Sequence, residues 1–244
     1  MSIRIYLIGL LLSSFVLVAC SEQSGKSAVT AGGDLMLLYM ESEAGVDPYQ
    51  SRLLVNKDFL RMDDGTDAGD YTLYDRNKHI IYSVTHGEQS ILELKQVKTK
   101  NRIKRALVLD AEKLHDSSVP KVEGKSPVQY HLKVNNNTCS TIYAVKNLHP
   151  QALAALREFR RILASIHLSK LNNTPDDMQE ECFLAHEVQV PNRILQFGLP
   201  VYESSSNGLK RILVDYKRHV KHVPKLYALP KGYQITHMTG AAAK

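Results

Sequence analysis

The side chains best able to do chemistry in this 244-residue chain are three cysteines, ten histidines and several clusters of charge. None completes a known catalytic signature. There is no Gly-x-Ser-x-Gly elbow to present a nucleophilic serine. There is no glycine-rich phosphate loop and no His-Glu-x-x-His zinc pair. His219 and His222 lie close together, but in a basic stretch without a pair of carboxylates beside them in the sequence. Cys182 and His186 share one helical turn, which is too few ligands to close a zinc site. No metal and no cofactor is expected. Asp63, Asp64, Asp67 and Asp70 crowd a glycine-bearing loop of the kind calcium uses. Their spacing is not that of an EF-hand and no closing glutamate follows, so the loop reads as a solvated turn. The sharpest cationic feature is the run Lys95, Lys98, Lys100, Arg102, Lys104 and Arg105. It reads first as a solvated edge strand, whose lysines discourage edge-to-edge pairing, and second as a contact for anionic headgroups.

The elements that must carry these residues are mostly short strands. Leu35 to Met40 starts the fold. Arg52–Val55 and Phe59–Met62 flank a turn at Asn56-Lys57-Asp58, and Tyr71–Asp75, Ile80–Val84 and Ser90–Leu94 follow at regular spacing with tight turns. That is the pattern of an antiparallel meander. Ala106–Leu109 reads as a further strand and Lys121–Pro127 as a loop. Val128–Val134 alternates as a half-buried strand should, and Asn135–Asn137 turns into Thr141–Val145. The clearest helix starts at Pro150, with Leu153, Leu156, Phe159, Leu163 and Ile166 on one face. Arg157, Arg160 and Arg161 fall beside or opposite that face and read as solvated. Thr174 caps a second helix running to about His186. Strands return at Ile194–Phe197, Val201–Glu203 and Leu209–Tyr216, and Lys225–Tyr233 closes the domain. Twelve tyrosines, many in or beside strands, suit a half-open sheet with a wet rim.

At the N-terminus, Arg4 precedes an apolar segment over residues 5–19, shorter than the roughly 20 residues of a bilayer span. These are the charged, apolar and small-residue parts of a secretory signal. Leu17-Val18-Ala19-Cys20 resembles the lipobox of bacterial lipoproteins. The resemblance implies that lipid is attached to the Cys20 sulfur and the chain is cut before it, since only a thiol forms the thioether. Ser21 to Ser27 then serve as a polar tether. The residue after the cysteine is Ser21 rather than Asp. By resemblance to enterobacterial sorting, this places the protein in the outer membrane facing the periplasm, with the inner membrane as the alternative. Lipoproteins of this kind carry three acyl chains, which anchor durably where one does not. The net charge of +6 loses only Arg4 with the signal, so the mature surface stays basic. It favours anionic surfaces over the nucleic acid that a secreted chain rarely meets. With Cys20 on lipid, Cys139 and Cys182 form a natural pair in an oxidising compartment. Two buried thiols, or a metal pair with His186, are the other readings.

Several stretches resemble a group of uncharacterised proteobacterial envelope proteins. They are Ser51–Val55 through Arg61–Asp64, Tyr74-Asp75-Arg76, Ile81–Val84, Gly198-Leu199-Pro200, Val214-Asp215-Tyr216 and Leu229–Tyr233. That resemblance supplies no activity. The order of elements, with the Leu-Pro-x-Gly-Tyr ending, also resembles the lipoprotein-localisation carrier and receptor fold, an unclosed antiparallel barrel with helices over its mouth. This second resemblance implies a hydrophobic concavity for acyl chains or an apolar partner segment, by analogy of fold alone.

The expected organisation is a signal over residues 1–19, a lipidated cysteine and linker over 20–33, and one α+β domain over 34–239. That domain is a curved antiparallel sheet, an unclosed barrel, with one long and one short helix. The expected function is that of a non-enzymatic envelope lipoprotein, held to the membrane through Cys20. It would bind an apolar ligand, acyl chain or protein segment between sheet and helix. The alternative is an assembly lipoprotein that acts through protein contacts, without a pocket.

Overall fold

Alternation decides most of this fold. In Asp34–Ser42 (β1) the odd positions Leu35, Leu37 and Tyr39 are buried on one side. Leu53 and Val55 of Tyr49–Val55 (β2) lie opposite Leu37 and Leu35 and share that side. The computed structural model describes residues 33–114 and 119–238, and also leaves the Asn172 side chain undescribed. Cys20, the signal, the linker up to Gly32 and the tail from Thr239 lie outside the described residues. The meander continues through Phe59–Asp63 (β3), Tyr71–Asp75 (β4), Ile80–Thr85 (β5) and Ser90–Lys95 (β6). Leu109–Leu114 (β7), Val128–Val134 (β8) and Asn137–Val145 (β9) precede the main helix, and Leu199–Ser205 (β10), Lys210–Val220 (β11) and Gln234–His237 (β12) follow it. The chain is α+β. One unclosed sheet runs β12-β6-β5-β4-β3-β2-β1-β11-β10-β9-β8-β7, antiparallel at every pairing except β12 on β6.

Pro150–Lys170 (α1) covers the inner face. Proline at its first turn needs no N–H partner, and Gly or Pro does not recur within it. The buried stripe includes Ala152, Ala155 and Ala164 as well as Leu153, Leu156, Ile162 and Ile166. Ala152 and Ala155 let the helix approach the sheet closely, and together with Leu37, Leu53, Leu60 and Ile81 they belong to the main core. Burying a leucine here is worth about 2 kcal/mol. The outer face of β2–β6 has its own cover. Tyr227, Leu226, Leu229 and Tyr233 lie over Leu54, Tyr71, Leu73 and Tyr82. This C-terminal strap is pinned where the chain enters the sheet. The Asp34 carboxylate accepts from Tyr227 Oη at 2.5 Å and from Asn56 Nδ2 at 3.2 Å, and lies 3.1 Å from His222 Nδ1. His222 therefore does have a carboxylate beside it, contributed by a residue far away in sequence.

Three expectations about elements need correction, and one strand is unanticipated. Ala106–Leu109 is not a strand. Leu107 packs as coil against Leu171 and Leu184, and the ladder starts at Leu109. Ile194–Phe197 is a 3-10 turn that inserts Ile194 against Ile142 and Ala144. The second helix is a 3-10 turn at Asp176–Met178, then Glu181–Phe183 (α2), which widens into a π-helical turn at Leu184–Gln189. Thr174 makes no cap there, because Pro175 holds that position without a side-chain bond. Finally, Gln234–His237 joins the sheet although its residues are all exposed and carry no burial pattern. Gly198, at φ 131°, has no room for a Cβ against the Val145 carbonyl, so the turn into β10 requires glycine. Among the described residues no helix is long and apolar enough to cross a membrane.

Candidate functional site

Strand register builds a charged row on the inner face, beyond the stretch that α1 covers. Glu41 of β1 pairs with Arg211 of β11, and Arg211 pairs with Glu203 of β10. Paired residues point to the same side of a sheet. Tyr39 on β1 is buried inward and the half-buried Leu213 on β11 packs against the same core, so the row faces inward too. Arg211 Nε lies 3.0 Å from Glu41 Oε1 without the angle of a hydrogen bond, and its guanidinium stacks over the Tyr39 ring at 4.2 Å. Glu203 makes no hydrogen bond or ion pair among the described residues. Burial pushes its carboxyl above the usual range, against the pull of Arg211 and Arg160. Burial likewise pushes the Tyr39 phenol up to about 12.

The opposite wall comes from α1 and the segment after α2. Arg160 donates to the Pro191 carbonyl at 2.5 Å, to the His186 carbonyl at 3.2 Å and to Glu187 at 2.8 Å. Arg157 donates to the Leu195 carbonyl at 2.6 Å. These two arginines therefore do not form a solvated face; they fasten residues 186–195 to the helix. Between the walls lies a cleft of about 200 Å³, lined by Glu41, Arg160, Glu187, Glu203 and Arg211 among others. It leads to an inner recess of about 100 Å³ walled by Tyr39, Met62, Leu156, Phe159 and Leu195. On its other side, Arg211 and Glu41 border an open groove floored by Ser51, Thr72 and Ser83. Chemically this is a charged mouth over a small apolar recess.

Cys139 and Cys182 are joined by a disulfide, Cα to Cα 5.3 Å, and line the cleft wall. His186 sits beside that bridge, enclosed, and among the described residues no group of three or more potential metal ligands gathers around it. Its Nε2 faces Arg193 Nη1 at 3.0 Å, and its Nδ1 faces Ser140 Oγ at 3.2 Å. A guanidinium can only donate, so Nε2 accepts and Nδ1 carries the proton to Ser140. This imidazole cannot take the serine proton, and the contact is structural. Burial, with Arg193 and Arg160 nearby, holds the His186 pKa down to about 4 from 6.5. The folded state therefore disfavours a proton that the unfolded chain binds below pH 6.5. Stability is full above that pH and declines as pH falls toward 4, by about 3 kcal/mol. Urea midpoints at pH 7 and pH 4.5 should show this loss. His186→Gln, which can bond both neighbours without titrating, should flatten it; an unchanged slope refutes the assignment.

The basic run is not an edge strand. Past Lys95 it is coil laid along the end of α1, where Val97 N donates to Ser165 Oγ at 3.0 Å. Lys95 pairs with Glu93 at 2.5 Å, Lys104 approaches Asp176 at 4.0 Å, and Arg105 bonds the Asp176 carbonyl and faces Glu181 at 3.6 Å. Lys98, Lys100 and Arg102 are exposed and make no ion pair among the described residues. In the acidic loop, Asp63 is buried against Arg52 and Arg61, whereas Asp64, Asp67 and Asp70 stay exposed. Glu41, Glu203, Arg211 and Arg160 have no motif to mark them. The signal that finds them is charge at inward positions of otherwise apolar strands, as in Leu37-x-Tyr39-x-Glu41 and Val201-x-Glu203.

No protein-family model matches the chain, and no curated protein matches it. Among solved structures, it is similar to an uncharacterised conserved protein from Thermus thermophilus, with TM-score 0.40 and 10% identity over 84% of this chain and 91% of that one. PNGF-II in its C2 crystal form aligns with TM-score 0.39 and 12% identity over 84% of this chain and 30% of that one. In its P21 form it aligns with TM-score 0.37 and 11% identity, over 31% of its length. This chain thus spans about a third of PNGF-II.

Proposed function

We propose that the chain is a non-enzymatic cell-envelope lipoprotein, held to the outer membrane through lipid on Cys20, that binds a segment of another protein in the cleft between sheet and helix. The size and lining of that cleft carry the reading. The space between α1 and the sheet is filled by the main core. What stays open between them is a charged mouth of about 200 Å³ and an enclosed recess of about 100 Å³, while the groove of about 560 Å³ beyond Arg211 and Glu41 is open to solvent. Small-molecule sites typically enclose roughly 300–1,000 Å³. The recess suits one aliphatic side chain better than an acyl tail, and the row Glu41–Arg211–Glu203 offers partners for the polar backbone and charges on either side of such an anchor. A curved, unclosed barrel of the lipoprotein-localisation kind would supply a concavity of this type, here largely occupied by its own helix.

Two binding experiments on the full chain separate the readings. Peptides selected from a displayed heptapeptide library should bind saturably and lose about tenfold in affinity in Glu203→Gln, the value of one charge-assisted hydrogen bond. A fluorescent fatty-acid probe should not saturate. Stoichiometric fatty-acid binding with no selectable peptide would reverse the choice of ligand. A second reading, an assembly lipoprotein without a pocket, draws on the outer face. Met40, Ile212 and Val214 are 37%, 45% and 53% exposed there, with Met40 paired to Ile212 and Ile212 to Tyr202.

A further inference from the structure

The turns at the two ends of the sheet carry opposite charge. Asp34 marks the end at which the chain enters. Strand registers place the turns after β2, β4 and β9, the exit of β11 and the approach to β8 at that same end. These segments expose Lys57, Lys78, Lys121, Lys125, Lys146 and Lys221. The acids there are Asp58, which lies 3.9 Å from Lys57, Asp75 at the end of β4, which pairs with Lys78 at 3.1 Å, and Glu123, which is taken up by Arg218 and faces His149, so the lysines outnumber them. At the other end, the turns after β1, β3 and β5 expose Glu43, Asp47, Asp64, Asp67, Asp70 and Glu88, with no lysine or arginine in residues 43–48, 64–70 or 86–89. The cleft row of Glu41, Arg211 and Glu203 lies toward this acidic end.

We infer that the lysine-bearing end is a docking face for anionic lipid headgroups, and that it seats the domain on the bilayer with the acidic end and the cleft directed away. Attraction of several exposed lysines to an anionic leaflet acts within about one Debye length, so it requires the face to lie at the surface. Chain direction supplies the second argument. The residues nearest any N-terminal tether, Gly33 and Asp34, emerge among these lysines, and Gly33 packs so closely on the His219 backbone that the entry point is fixed there. An acidic face turned to the same leaflet would be repelled. This inference does not depend on what the cleft binds; only the tethering argument draws on the Cys20 reading.

The test uses the full chain with phosphatidylcholine vesicles, and with vesicles containing phosphatidylglycerol at about one lipid in three. Lysine reactivity toward a water-soluble acetylating reagent is read residue by residue by mass spectrometry. In the anionic vesicles Lys57, Lys78, Lys146 and Lys221 should react about fivefold more slowly than in the neutral ones. Lys210, at the acidic end, should be unchanged, and high salt should abolish the difference. Equal reactivity in both vesicles would overturn the inference, as would protection of Lys210 or protection confined to Lys98 and Lys100. Charge reversal in K57E/K78E/K146E should remove the protection at Lys221. Sedimentation with the neutral vesicles reads the lipid anchor separately, so loss of the anchor is not mistaken for failure of the face.

Discussion

Asp63→Ala should destabilise the fold by about 3–5 kcal/mol, lowering the melting midpoint by about 10 °C. The Asp63 carboxylate is almost fully enclosed and holds two arginines at once. Arg52 reaches it through Nε at 2.8 Å and Nη2 at 2.9 Å, and Arg61 through Nε at 2.6 Å. It also accepts from Gly65 N at 3.0 Å. Arg61 is 1% exposed. Removing the carboxylate leaves that guanidinium out of water with the Leu226 carbonyl at 2.7 Å and the Tyr71 ring at 3.8 Å as its remaining company. Neither neutralises a charge. Because Arg61 also tethers the C-terminal strap at Leu226, residues 224–237 should exchange their amide hydrogens faster in the variant. Asp67→Ala is the internal control. Asp67 also pairs with Arg52 but is exposed, so it should cost less than about 1 kcal/mol. Replacing the group together, as R52M/R61M/D63L, should recover most of the loss, since an apolar core tolerates what a lone buried charge does not. Equal stability of Asp63→Ala and wild type in urea would show that water reaches this network.

Much of the meander is legible in the sequence because its signals are local. Asn56 shows how. Its side-chain oxygen accepts from Asp58 N at 2.9 Å and Phe59 N at 2.8 Å, which builds the turn from one residue. The misread elements are those whose conformation is decided by distant partners. Ala106–Leu109 has the composition of a strand, but Leu107 finds its apolar environment at the end of α1. Ile194–Phe197 has strand propensity, yet Arg157 captures the Leu195 carbonyl and turns the segment. The arginines of α1 look solvated on a helical wheel because the wheel does not show that the chain returns over them. Asp63 reads as one acid among four; its burial depends on Arg61 two residues earlier on its own strand and on Arg52, which register brings in from β2.

The site was hidden for a related reason. Its charged row exists only through register, since residues 41, 203 and 211 become neighbours when β1, β11 and β10 align. The disulfide is legible by contrast, because two cysteines left over once Cys20 is read as a lipid acceptor have few alternatives in the oxidising compartment that reading implies. Its place in the cleft wall is not.

Removing that disulfide, as C139A/C182A, should lower stability by about 4 kcal/mol in the chain-entropy model. The bridge spans 43 residues, so the unfolded chain gains much freedom when it opens. The folded state should respond unevenly. Residues 139–182 contain all of α1, which is held independently by its core with β1, β2 and β3. Glu181–Gln189 has less support. Ala185 packs beside Cys139 and Val134, and Leu184 and Val188 pack on Leu171. A π-helical turn has poorer hydrogen-bond geometry than an α-helix and is maintained by its surroundings. Without the bridge, this turn should open before the rest of the fold. The opening carries His186 into water and separates Glu187 from Arg160, which dismantles one wall of the cleft. The expected signature is a lower urea midpoint, early amide exchange confined to residues 181–190, and a shallower loss of stability between pH 6.5 and 4, because His186 then titrates nearly as it does in the unfolded chain. Uniform acceleration of exchange across α1 and the sheet would instead mean that the bridge supports the whole fold and that the cleft wall has no separate stability.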